Sequence, residues 1–211
     1  MIEAASNESG STESDYGFAY AERQLARSRH PLRKLIKGFY LRNLLTDVVG
    51  PTIDFGCGAG QILERLPAGS IGFEANKHLV SALSKRGLDA RLYEPEIDQL
   101  NFKDIPVGQF NTLIMSHVLE HFDDAAQGLK KILDSCKRLA IKRVIIVVPG
   151  KKGYSFDDTH LTFVDRAYID ASNLTQYNGF VASQFSYFPF NIAKFGDYFT
   201  FHEFKIIFDD V

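Results

Sequence analysis

Six consecutive residues, Arg143-Val-Ile-Ile-Val-Val148, constrain this chain more than any other stretch. An unbroken β-branched run is a strand buried on both faces, as at the centre of a parallel sheet. Parallel neighbours need crossover connections, and the flanking sequence supplies them. Thr52-Ile-Asp-Phe55, Ser70–Glu74, Asp89–Tyr93 and Phe110–Ser116 read as further strands. Between and after them, Ile62, Leu63 and Leu66, then Leu79, Val80 and Leu83, then Leu129, Ile132, Leu133, Cys136 and Leu139 recur at helical spacing. Strands alternating with helices predict a doubly wound α/β fold. Beyond residue 180 the rhythm changes. Phe180 to Tyr187 and Phe199 to Phe208 are both strand-like, need no helix between them, and read as an antiparallel pair on the sheet edge joined by Pro189 to Asp197. A helix over Asp165 to Tyr177, capped by Thr162, precedes them. The expectation is a mostly parallel, seven-stranded sheet with an antiparallel C-terminal hairpin strand.

Ahead of the first strand, Leu32, Leu35, Ile36, Phe39, Tyr40, Leu44, Leu45 and Val48 mark one apolar face of a helix. Pro31 suits its first turn and Gly50-Pro51 ends it, while Arg33, Lys34, Lys37 and Arg42 fall off the stripe. Residues 1–15 are rich in Ser, Glu, Asn and Gly and too polar to offset their ordering entropy. The organisation expected is therefore a mobile tail over 1–15, a helical cap over 16–50 and one ligand-binding domain over 51–211.

Composition narrows the function classes. Lys plus Arg number 24 against 26 Asp plus Glu, a net charge of −2. That lacks the broad basic footprint of a general nucleic-acid binder. No apolar run approaches the roughly 18–20 residues of a membrane span, and the N-terminus lacks the apolar segment of a secretory signal. Cys57 and Cys136 form no CxxC pair, so neither a disulfide framework nor a cysteine zinc site organises the chain. A soluble cytoplasmic protein, monomeric or homodimeric, with no metal and no membrane partner, is expected.

In an open α/β sheet, ligands bind beyond the carboxyl ends of the strands where the strand order reverses. The first strand runs there into Asp54-Phe-Gly56-Cys-Gly58-Ala-Gly60-Gln61. Alternating glycines let the backbone turn tightly and approach a ligand. The spacing is GxGxG, whereas the dinucleotide fingerprint sets its third glycine one place later to seat a pyrophosphate. Asp54 also puts a negative charge where a phosphate would lie, which favours a ligand with a cationic or zwitterionic end. Glu74 closes the second strand, and a carboxylate there can accept two hydrogen bonds from a ribose diol.

At this point TIDFGCGAG (52–60), IGFEAN (71–76), NTLIMSHVLEHFDD (111–124), VIIVVPG (144–150) and His160-Leu-Thr-Phe163 followed by Asn178-Gly-Phe180 occur in order. Together they resemble the class I S-adenosylmethionine-dependent methyltransferases, in particular the small-molecule branch, over roughly residues 30–210. The resemblance implies a Rossmann-like methyltransferase fold, S-adenosylmethionine as cofactor and S-adenosylhomocysteine as product. It implies that Asp54 holds the methionine amino group through water. Gly56, Cys57, Gly58 and Gly60 would floor the methionyl and ribose parts, and Glu74 would bind the ribose hydroxyls with Ala75 beside the adenine. Ser116 and His117 would lie against the methionyl chain. The chain departs from the family after the third strand, where Tyr93-Glu-Pro-Glu-Ile-Asp98 leaves Glu94 and Asp98 both open as adenine contacts.

Methyl transfer from a sulfonium is an in-line displacement in which the protein supplies alignment and a dry pocket. A general base helps only where the acceptor keeps its proton, and His121 and His160 are the candidates. Tyr16, Tyr20 and Tyr187-Phe-Pro-Phe190 could form an acceptor lid, and Arg23, Arg27 and Arg29 could meet a carboxylate. The acceptor expected is a small molecule methylated at O or N. Two alternatives stay open. One is a non-catalytic module holding the same cofactor or its product. The other treats His117-Val-Leu-Glu120-His121 as an HxxEH zinc-peptidase helix, which requires all five residues on one helix.

Overall fold

The computed structural model describes residues 17, 18, 21, 22, 25, 26 and 31–211, with the side chains of 31–37 outside that description. The tail over 1–15, Tyr16, Tyr20, Arg23, Arg27 and Arg29 lie outside the described residues, as do the side chains of Leu32, Leu35 and Ile36.

The chain runs α1 (Pro31–Leu45), β1 (Thr52–Phe55), β2 (Ile71–Glu74), α2 (Lys77–Ser84), β3 (Ala90–Leu92), α3 (Pro95–Asp98), β4 (Thr112–Ser116), α4 (Ala125–Arg138), β5 (Arg143–Pro149), α5 (Lys151–Tyr154), α6 (Arg166–Ala171), β6 (Gln176–Tyr177), β7 (Phe180–Phe188) and β8 (Glu203–Asp210). One sheet takes all the strands in the order β3-β2-β1-β4-β5-β8-β7-β6. The first five are mutually parallel, and β8 enters antiparallel between β5 and β7. The order reverses between β1 and β4, which makes that edge the switch point where ligands bind. The expected seven strands are joined by an eighth of only two residues, β6, which pairs with the start of β7.

The β-branched run behaves as its composition requires. Val144, Ile146 and Val148 pack with Leu129, Ile132 and Leu133 of α4 on one face. Ile145 and Val147 pack with Tyr40, Leu41 and Leu44 of α1 on the other. All five β5 side chains are 0% exposed, and burying each contributes about 1.5–3 kcal/mol.

Five local expectations give way to stronger constraints. Phe39 is 63% exposed while Tyr40, Leu41 and Leu44 face the sheet. Residue 39 sits about 200° around the axis from residue 41, so one face cannot bury both. After the glycine loop only a 3-10 turn forms, Leu63–Arg65, because Pro67 and Gly69 leave too few residues for a helix. Thr162 does not cap α6. Its hydroxyl donates to the Phe122 carbonyl at 2.7 Å, and Asp165 is the cap, accepting from Tyr168 N at 2.8 Å. α6 then stops at Ala171, and Gln176–Tyr177 joins the sheet as β6. Finally, β8 starts at Glu203, not Phe199, because a 3-10 turn over Ala193–Asp197 and the bend after it occupy the preceding residues.

Candidate active site

The glycine loop leaves β1 with Gly56, Gly58 and Gly60 all at positive φ, +76°, +52° and +74°. Space excludes a side chain at two of them. A Cβ on Gly56 would stand 2.3 Å from Val118 Cγ2, and one on Gly60 would stand 2.5 Å from Leu83 Cδ2. Gly58 has nothing within 4 Å and faces open space. The loop is held from behind, since Gly56 N and Cys57 N both donate to the Phe73 carbonyl, at 2.9 and 3.0 Å. Arg86 adds a bond of 2.8 Å to the Ala59 carbonyl. Cys57 contributes backbone only; its buried side chain packs with Leu63 and Leu83 under the loop, and burial pushes its thiol pKa up.

Glu74 is fixed over that loop. Its Oε2 accepts from Gly58 N at 2.8 Å and its Oε1 from Asn76 N at 2.9 Å. Burial raises its pKa above the ordinary glutamate value, and these N–H donors offset part of the rise. Each oxygen keeps lone-pair capacity, so the carboxylate can still accept from a vicinal diol. Ala75 beside it is exposed. Asn76 caps α2 by accepting from His78 N and Leu79 N at 2.9 and 3.1 Å. The segment before α1 also reaches this corner, with Phe18 packed edge-on against the His78 ring and Gly17 O 3.4 Å from Asn76 Nδ2. Asp54, in β1 just ahead of the loop, is 1% exposed. Of the two acids after β3, Asp98 is committed to a turn, accepting from Phe102 N at 2.8 Å and Lys103 N at 3.1 Å. Glu94 is exposed at the start of α3.

At the end of β4, Ser116 Oγ lies 2.7 Å from the hydroxyl of Tyr40 on α1. His117 adopts φ +57° and sits between two acids, Nδ1 at 3.3 Å from Glu120 and Nε2 at 3.1 Å from Glu203. Burial alone would lower the imidazolium pKa, but Glu203 and Glu120 overcome it and push it up to about 10. Leu119–His121 is a single 3-10 turn. His117 is therefore at a strand end and shares no α-helix with His121, so the helical HxxEH geometry of a zinc peptidase is not formed. His121 and His160 come together, with ring centroids 4.9 Å apart. Their Nδ1 atoms lie 3.0 Å from the Thr159 carbonyl and 2.8 Å from the Tyr154 carbonyl. A carbonyl only accepts, so each Nδ1 carries a proton and each neutral ring leaves its Nε2 lone pair open.

Sequence reasoning missed Tyr40, Glu120 as a partner of His117, and Glu203. Glu203 lies opposite Pro149 in the β5–β8 register, and no local pattern announces that pairing. Beyond it opens a cavity of about 350 Å³ lined by Gly150, Lys151, Asp165, Tyr187 and His202 among others. Tyr187 stacks on His202 at 5.3 Å, which puts the start of the expected aromatic lid in this wall, while Phe190 is exposed.

This geometry coincides with a known family. Residues 53–147, from β1 to β5, match the family model of a methyltransferase domain. The chain has the Rossmann-like fold of the S-adenosylmethionine-dependent methyltransferases. Solved structures of low identity share the fold. One is an S-adenosylmethionine-dependent methyltransferase from Archaeoglobus fulgidus, 19% identical, covering 91% of this chain and 98% of that one with a TM-score of 0.63. Another is magnesium protoporphyrin IX methyltransferase from Synechocystis PCC 6803 with bound S-adenosylhomocysteine, 13% identical, covering 94% and 98% at 0.63. A third is the N-methyltransferase NodS from Bradyrhizobium japonicum WM9, also with S-adenosylhomocysteine, 15% identical, covering 92% and 97% at 0.58. No curated protein matches this chain significantly. Among the described residues no helix is long and apolar enough to cross a membrane.

Proposed function

We propose that this methyltransferase moves the methyl group of S-adenosylmethionine to an oxygen or nitrogen of a small-molecule acceptor. The observation that carries the reading is the carboxylate of Glu74, pinned by Gly58 N and Asn76 N over a loop of left-handed glycines. In this assignment Glu74 accepts from the two ribose hydroxyls and Ala75 lies beside the adenine. Gly56, Cys57, Gly58 and Gly60 offer backbone to the methionyl and ribose parts. Asp54 attracts the methionine ammonium, and Ser116 and His117 flank the methionyl chain. The N-terminal segment over 16–50 caps the cofactor corner, a reading supported by the contacts of Gly17 and Phe18 with Asn76 and His78.

The chemistry is a displacement in which the new bond to the acceptor forms as the S–CH3 bond breaks, and the sulfur keeps the electron pair as a thioether. The chain's contribution is alignment and exclusion of water. His121 and His160, with Nε2 lone pairs open, stand as bases for an acceptor that carries a proton. One neighbour of the same fold is named for magnesium protoporphyrin IX and another for N-methylation, which supports a small-molecule acceptor with nitrogen among the accepting atoms.

Calorimetry with S-adenosylmethionine, S-adenosylhomocysteine and NAD tests the reading. The two sulfur nucleosides should bind at one site and NAD should not. Binding of NAD alone overturns it. Cofactor binding without transfer to any acceptor in a broad panel of hydroxyl and amine compounds turns the proposal into that of a binding module.

A further inference from the structure

We infer that Glu120, His121 and His160 form a binding site for one divalent transition-metal cation. One ligand atom from each residue lies within 4.8 Å of the others, and His160 Nε2 is 3.9 Å from Glu120 Oε1. The set differs from the HxxEH pattern in the sequence. That pattern would use His117 as a ligand, whereas the fold turns His117 toward Glu203 and brings in His160 from the loop after α5.

Three features mark a built site. First, Glu120 is 0% exposed and neither of its carboxylate oxygens accepts a hydrogen bond among the described residues. The nearest charge is His117 Nδ1 at 3.3 Å, off the line of a hydrogen bond. A buried carboxylate is costly unless well paired; the His117 imidazolium stands beside Oε1, and a cation adds the direct partner that neither oxygen has. Second, both imidazoles give their Nδ1–H to backbone carbonyls and keep Nε2 open. Outer hydrogen bonds of this kind orient metal-ligating histidines. Third, the loop that carries the Thr159 carbonyl is itself braced. Asp157 Oδ1 accepts from Thr159 Oγ1 at 2.7 Å and from Thr159 N at 3.1 Å.

Two imidazoles and one carboxylate suit zinc or manganese over magnesium or calcium, which prefer all-oxygen shells. An ion drawing in each ligand to about 2.1 Å needs them about 3.4 Å apart, so the triad closes by roughly an ångström on binding. Positions remain open on such an ion for an acceptor oxygen. Ion binding stands apart from the methyl-transfer reading, but its use rests on it. An acceptor hydroxyl bound to the ion loses its proton to water more readily. Its oxygen then attacks the methyl carbon as the sulfur departs, and the imidazoles serve as ligands in place of bases.

Titration calorimetry of the chelator-treated full chain with ZnCl2 and MnCl2, without cofactor, tests the site. One ion per chain is expected, with MgCl2 binding at least 100-fold more weakly. His160→Gln and Glu120→Gln should each weaken binding at least 100-fold. Should Glu120→Gln fail to fold, His121→Gln supplies the same test at a half-buried position. No ion bound by the wild type, or affinity unchanged in His160→Gln and His121→Gln, overturns the inference, as would equal affinity for magnesium. S-adenosylmethionine binding measured on the same samples separates the two readings. Cofactor bound without an ion removes this inference alone, and an ion bound without cofactor removes the cofactor reading alone.

Discussion

On the β1–β2 side of the crevice, Glu74 reaches Gly58 over 16 residues of chain and Asn76 over two. On the β4–β8 side, Tyr40 meets Ser116 over 76 residues, and Lys205 meets Asn43 over 162. The first half is written in one β-loop-β unit and needs little more than its own glycines. The second half exists only after β8 has slotted between β5 and β7 and α1 has docked on the sheet. One site is thus assembled by two kinds of information, and perturbations should separate them.

The largest effect is expected at Gly56. A left-handed φ costs a non-glycine residue about 1–2 kcal/mol, and overpacking adds about 1–3 kcal/mol, with Val118 standing 2.3 Å from the new Cβ. Gly56→Ala should weaken S-adenosylmethionine binding by about two orders of magnitude or more, read by calorimetry. Adding Val118→Ala should recover the overlap part and leave the dihedral part. No recovery in the double variant would mean that the loop is not braced against Val118.

Next comes a break confined to the long-range half. Lys205 is 6% exposed and pairs with Asn43 Oδ1 at 2.8 Å and with Asp47. Lys205→Met strands Asp47 where β8 meets the end of α1, and breaking a buried pair typically costs about 3–5 kcal/mol. Asp47 is partly exposed, so the lower end is expected, measured by urea unfolding. Cofactor affinity of the folded fraction should change less than threefold. A large loss of affinity at constant stability would show that the halves are coupled and the comparison too sharp. Smaller again is Glu74→Gln, which keeps the size but removes the charge that receives the hydroxyls. Hydrogen bonds to a charged group are worth about 1.5–3 kcal/mol, so cofactor binding should weaken about 10- to 100-fold with the melting temperature nearly unchanged.

The same division decides how much could be read in advance. β1 emerges over Thr52–Phe55, as its sequence indicates, and Glu74 lands over the glycines because a strand end and a tight turn fix both by local geometry. The buried β5 run revealed its two-sided packing through composition alone. Glu203 was invisible because its place depends on the β5–β8 register, and a slip of one residue would turn it to the other face. The helix expected over Asp165 to Tyr177 ends early for a similar reason. Gln176 and Tyr177 pair with Val181 and Phe180, and a tertiary ladder outweighs weak helix propensity. His121 and His160 were visible as residue types, but their meeting depends on the Glu120 carbonyl receiving Leu161 N and Thr162 N at 2.8 and 3.1 Å.

Acid should separate the halves by their order of failure. Glu74 has its pKa raised above 4.5 by burial, so on acidification it takes a proton before ordinary carboxylates do. The charged form accepts the hydroxyls, and cofactor affinity should therefore fall while the pH is still above 4.5. The fold is not weakened by that step, because a raised carboxylate pKa means that protonation favours the folded state. Asp209 and Asp210 behave oppositely. The Arg143 and Ser183 side chains hold Asp209 below 3.8 despite its partial burial, and Lys137 and Lys142 hold Asp210 below it. Their contribution is complete above the unfolded value and is lost as pH falls through the folded one. Arg143 also donates to the Asp47 carbonyl at 3.0 Å, so this pairing ties β8, β5 and the end of α1 together. Melting temperature should thus hold through the range where binding fades and decline only below about pH 4, by a few degrees, since these pairs are partly exposed. Asp209→Asn should shrink that decline and leave the binding profile unmoved, whereas Glu74→Gln should flatten the binding profile and leave the decline. If melting and binding instead fell together along one curve, the two sides of the crevice would be a single cooperative unit, and the local encoding of the first would confer no independence on it.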